Sequence, residues 1–145
     1  MNRGEYESMY AAEEHHWWYR GLRELLLHWA RRLAPVPTAR PVPTASLRAA
    51  GGLRGGGLGI LDAGCGTGMN LAALTALGYR VKGVDASPLA LRLARRRGAF
   101  PLRHARVERL PFPTGSFALA CSLDVVYMLE RPALEEAFSE LHRVL

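Results

Sequence analysis

The residues best suited to chemistry lie in Leu61-Asp62-Ala63-Gly64-Cys65-Gly66-Thr67-Gly68, between a short apolar run and a stretch of helix formers. Glycines in such a turn let the backbone approach a ligand with no Cβ in the way. The N–H groups and dipole of the helix that follows favour a polar or anionic ligand group. Asp62, at the end of the first apolar run, suits a ligand ammonium, directly or through water. Asp85 ends the next apolar run, where a carboxylate can accept hydrogen bonds from both hydroxyls of a ribose. A dinucleotide site takes G-x-G-x-x-G. Gly64 and Gly66 match it, but Met69 stands in the third glycine place and Gly68 turns the pattern into G-x-G-x-G. A nucleoside cofactor without a pyrophosphate fits better.

Alternating strand and helix signals position these residues. Leu58–Ala63 reads as a strand, and Asn70–Leu77 as a helix stopped by Gly78. Arg80–Val84 is a second strand ending at Asp85. Ser87 or Asp85 caps a helix that has Pro88 in its first turn and runs to Arg97. Leu102–Val107 is a weak third strand. Phe117–Leu123 is a fourth, apolar throughout and expected to be buried on both faces. Pro132 opens a last helix with Leu134, Ala137, Phe138, Leu141, Val144 and Leu145 on one side. This alternation predicts an α/β fold with a doubly wound, Rossmann-like parallel sheet. Ahead of it, residues 5–33 read as one helix or two, with Trp18, Leu22, Leu25, Leu26, Trp29 and Leu33 on one stripe and Gly21 as a candidate break. Residues 35–57 carry Pro-Val-Pro-Thr-Ala twice and then five glycines, the composition of an extended linker. The expected division is a helical segment over 1–34, the linker, and a cofactor-binding domain over 58–145.

With 145 residues, 49% of them hydrophobic and 22% charged, the chain is long enough for one domain with a real core and too apolar for general disorder. No apolar run reaches the ~20 residues of a membrane helix, and the first ten residues lack a secretion signal. A cytoplasmic location without disulfides is expected, Cys65 and Cys121 being the two cysteines. The net charge of +6 rests on eighteen arginines and a single lysine, Lys82. That skew resembles codon bias in a GC-rich genome, so the basic charge is weak support for nucleic-acid binding.

At this point the chain resembles a family. Asp62-x-Gly64-x-Gly66-x-Gly68, Gly83-Val84-Asp85-Ala86-Ser87-Pro88 and Glu108-Arg109-Leu110-Pro111-Phe112-Pro113-x-Gly115-Ser116-Phe117 are similar to motifs of class I S-adenosylmethionine-dependent methyltransferases of the type 11 kind. Glu14-His15-His16-Trp17-Trp18-Tyr19-Arg20-Gly21 is similar to their N-terminal segment. The resemblance covers residues 6–33 and 58–145. It implies S-adenosyl-L-methionine as cofactor, with Gly64, Gly66 and Gly68 along its methionine part and Asp85 on its ribose. Ala86 and Ser87 would border the adenine, flanked by Arg106, Val107 and Glu108, while Ser122, Leu123 and Asp124 would face the methyl group or substrate. The candidate cofactor-binding residues are Asp62, Gly64, Cys65, Gly66, Gly68, Asp85, Ala86, Ser87, Val107, Glu108 and Leu123; no catalytic residue and no metal ligand is named.

The departures are specific. Arg106 stands where many relatives carry an acid, Ala118 where many carry Asp, and Tyr127 and Met128 where many carry Glu-His. Signals for four strands replace the family's usual seven, which makes the fourth strand an edge open to pairing with a second copy. The expected function is methyl transfer to a small-molecule acceptor. The alternatives are a truncated remnant or interaction module without catalysis, and an RNA methyltransferase. Of the remaining residues, Cys65 reads as a loop filler, Cys121 as core, and His15 and His16 lack a second pair for a metal. Trp17, Trp18 and Tyr19 read as either a cover over the site or sheet packing. Arg20 reads as solvated, as does the cluster Arg92, Arg95, Arg96 and Arg97.

Overall fold

The structure, a computed structural model, describes residues 3–34 and 58–145. The expected linker, 35–57, lies outside the described residues. Two helices come first, α1 (Arg3–Ala12) and α2 (Trp17–Leu33). Then follow β1 (Gly59–Ala63), α3 (Met69–Ala76), β2 (Val81–Asp85), α4 (Pro88–Arg97), β3 (Leu102–His104), β4 (Phe117–Cys121), a 3-10 turn (Val126–Met128) and α5 (Arg131–Val144). The four strands form one parallel sheet in the order β3-β2-β1-β4.

β1 explains the two-layer core. Its side chains alternate between faces. Ile60 joins Leu26, Ala30, Leu71, Leu74 and Leu91 of α2, α3 and α4. Leu61 and Ala63 join Val84, Val107, Phe117, and Ala137 and Val144 of α5. Both faces of β1 are thus dry, which is why its sequence is a nearly unbroken apolar run. Local signals end the helices where expected. Gly78, at φ +86°, follows α3. The Ser87 hydroxyl accepts the Ala90 N–H and caps α4, the role left open between Ser87 and Asp85.

Four expectations need correction. The N-terminal helix breaks at residues 13–16, not at Gly21, which lies inside α2 with nothing within 4 Å of its missing Cβ. A glycine in mid-helix costs only about 1 kcal/mol, and burial of Leu26 and Ala30 outweighs it. The apolar stripe of α2 is largely uncovered: Trp18, Leu25, Trp29 and Leu33 are exposed. β4 is shorter than expected and, apart from Phe117, only partly buried, because it is an edge strand among the described residues. β3 keeps only three residues.

Candidate functional site

The C-terminal ends of all four strands open on one cavity of about 740 Å³. Crevices in open α/β sheets form there, where the strand order reverses, here between β1 and its two neighbours. Gly64, Cys65 and Gly66 follow β1 on its wall. Asp85, Ala86 and Ser87 follow β2, Val107 and Glu108 follow β3, and Leu123 follows β4. Nine of the eleven candidate residues therefore meet in one place. Asp62 and Gly68 do not line it. Asp62 is 1% exposed, with Oδ2 buried and unpartnered and Oδ1 accepting the Cys121 thiol at 3.6 Å. Gly68, at φ +84°, lets the loop pass α4, since a Cβ there would stand 2.9 Å from that of Ala94.

Asp85 is the organising side chain. Oδ2 accepts the Gly66 N–H and Oδ1 the Ser87 N–H, both at 2.8 Å. Each carboxylate oxygen keeps a further lone pair for a ligand hydroxyl. Burial pushes the Asp85 carboxyl above its ordinary value, and the two backbone donors hold it back. Burial also raises the Cys65 thiol, aided by Asp62 and Asp85, so Cys65 is a filler of the loop and not a ready thiolate. Gly64, at φ +88°, has Val125 where a Cβ would be, 2.3 Å from Cγ2. The loop after β4 thus closes directly on the loop after β1.

The N-terminal segment contributes more than its motif announced. Tyr6, Met9, Glu13, Tyr19, Leu22 and Arg23 all line the cavity. Trp18 donates from Nε1 to Asp124 at 3.3 Å, and Trp17 is 73% exposed, so neither is packed into the core. Asp124 stands at φ +60°, a left-handed conformation rare outside glycine. His16 caps α2 by accepting the Trp18 N–H. No group of three or more metal-ligating side chains occurs among the described residues. Arg106 pairs with Glu108 at 2.5 Å, and both line the cavity. Arg20 is exposed as expected. Arg97 is not. Its side chain is 6% exposed and paired with Glu13, a partner 84 residues away that no local pattern could reveal.

A parallel sheet in this order, flanked by helices on both faces and opening at its strand ends, makes this a Rossmann-like α/β domain. A methyltransferase-domain family profile matches residues 60–145. The chain belongs to the class I S-adenosylmethionine-dependent methyltransferases. The uncharacterized methyltransferase YodH of Bacillus subtilis (strain 168) is 41% identical over 91 residues, 59% of this chain and 38% of its own length. Among solved structures, a candidate S-adenosyl-L-methionine-dependent methyltransferase of Methanococcus maripaludis shares the fold at a TM-score of 0.72. It has 15% identity, covering 99% of this chain and 59% of that one. Magnesium protoporphyrin IX methyltransferase of Synechocystis PCC 6803, solved with its cofactor bound, gives a TM-score of 0.51 at 26% identity, over 68% of this chain and 49% of that one. The chain spans well under two thirds of the length of these relatives.

Proposed function

We infer that the cavity binds S-adenosylmethionine and that the chain takes part in methyl transfer to a small-molecule acceptor. One observation carries this reading. The Asp85 carboxylate is fixed by two backbone donors at the mouth of a glycine loop and keeps lone pairs free for a ribose diol. The residues present fit the cofactor. The loop amides and Asp85 lie on one side of the cavity, the segment Arg106–Glu108 on another, and a volume of about 740 Å³ holds a nucleoside with its side chain and part of an acceptor.

When bound, the cofactor supplies an activated methyl group on a sulfonium centre. The chain's own residues bind and orient. Asp85 anchors the ribose, and the Gly64–Gly66 backbone follows the methionine part. Ala86, Ser87, Val107 and Glu108 flank the base, and Leu123 borders the reacting end. Asp62 and Gly68 act from outside the cavity, through the shape of the loop. The aromatic and thioether lining from Tyr6, Met9, Tyr19, Tyr127 and Met128 favours an acceptor with an apolar or planar body.

Calorimetric titration with S-adenosylhomocysteine, beside Asp85→Ala, tests this. Micromolar binding that the variant loses supports the cofactor site. A folded chain that does not bind favours the second reading, a module that keeps the fold without the chemistry. That reading draws on Tyr127 and Met128, exposed at the rim in the places where many relatives carry Glu-His. A second copy of the chain, paired along β4, is the other partner we propose.

A further inference from the structure

Apolar burial does not hold α1 in place, for none of its residues is buried. Yet Tyr6 and Met9 form part of the cavity wall, and Met9 Cε lies 3.3 Å from the place a Cβ would take on Gly66. The anchor is polar. Arg97, the last residue of α4, donates from Nη2 to Glu13 Oε2 at 2.9 Å and to the Tyr10 carbonyl at 2.5 Å. Nη1 reaches Glu14 at 3.3 Å, and Nε reaches the Thr67 carbonyl at 3.1 Å. The guanidinium also covers the Tyr10 ring, 3.9 Å from its centroid. The same Glu13 oxygen accepts the hydroxyl of Thr67, a fully buried residue between Gly66 and Gly68. One guanidinium and one carboxylate thus join the end of α1, the glycine loop and the end of α4.

We propose that Glu13, Thr67 and Arg97 form a polar latch holding α1 against the glycine loop as a releasable wall of the cavity, and that they are positioning residues for cofactor retention. A buried, hydrogen-bonded ion pair fails sharply when one partner is removed, because the other is left charged and unpaired. An apolar seal has no such release point. Thr67 belongs to the loop itself, so whatever orders the loop also orders the latch. By reciprocity, closing the latch strengthens what the loop binds. The retention role rests on the cofactor reading above; the latch itself does not.

The experiment is amide hydrogen exchange of residues 3–12 and 59–63 in the chain, with and without S-adenosylhomocysteine, together with the ligand's dissociation rate. Thr67→Val removes the hydroxyl at nearly constant volume, and Arg97→Lys keeps the charge but loses the fork. Thr67→Val is expected to speed exchange in α1 about tenfold, the loss of one charge-assisted hydrogen bond. Arg97→Lys, which gives up several of the guanidinium's bonds, is expected to speed it at least as much, and each to speed ligand release by a similar factor. Exchange in β1 stays unchanged, and Thr67→Ser behaves as the parent chain. Unchanged α1 exchange in both variants overturns the latch. Equal acceleration in α1 and β1 also overturns it, since the cluster would then serve only global stability. If the parent chain does not bind the ligand, the retention role falls with the cofactor reading, and exchange in the ligand-free chain still decides the latch.

Discussion

Asp62, next to last in β1, and Asp85, the last residue of β2, lie near the ends of neighbouring strands, and burial gives them different tasks. Asp85 meets two backbone donors and opens on the cavity. On the proposed cofactor reading, its replacement by Ala is expected to remove the acceptor for two ribose hydroxyls, about 2–4 kcal/mol or roughly 100-fold in ligand affinity, measurable by calorimetry. Asp62 is enclosed, and burial pushes its carboxyl from an ordinary 3.8 to about 7. Between those values the folded chain keeps a proton that the unfolded chain has released. Asp62 therefore contributes stability that is fully present below 3.8 and is lost as pH rises through about 7. Thermal denaturation across that window is expected to show a falling Tm in the parent chain and a flatter profile in Asp62→Asn. Gly64→Ala forces a Cβ onto Val125 at positive φ, at a cost of about 2–4 kcal/mol. Val125→Ala added to it is expected to restore part of that loss in denaturant titration. Types and order made Asp85 and the glycines legible in the sequence. Glu13 and Arg97 were not legible, because a pair 84 residues apart leaves no local pattern.

At the scale of elements, punctuation was readable wherever one residue sets it. Gly78 after α3, Ser87 and Pro88 at the start of α4, and Asp85 at the end of β2 all act as their types predict. Ser87→Ala is expected to destabilise the chain by about 1 kcal/mol through loss of the α4 cap, visible as a lower denaturant midpoint. Reading failed where tertiary contacts compete with local preference. Gly21 reads as a break, but α2 passes through it, and the chain turns instead at residues 13–16, where a histidine supplies the cap. The stripe on α2 reads as a buried face. Only Leu26 and Ala30 are buried within the helix, and Trp18, Leu25, Trp29 and Leu33 stay exposed among the described residues.

For the whole molecule, β4 is an edge strand among the described residues and apolar residues of α2 and α5 are exposed, features that accord with the proposed pairing of two copies. Sedimentation velocity over a range of concentrations is expected to show reversible self-association. A strictly monomeric chain at every concentration would count against pairing along β4. No described helix is long and apolar enough to cross a membrane. The sequence by itself determined the alternation of strands and helices, the glycine loop and the acid after β2, because each depends on periodicity or on a residue's own backbone preference. Only the tertiary structure decided that Asp62 is sealed away from the cavity that Asp85 faces. It alone decided that α1 forms a wall of that cavity and that Arg97, read as one of four solvated arginines, lies buried on Glu13. Those outcomes depend on which segments pack together. Burial and long-range pairing are properties of the assembled layers, and no short window of residues contains them.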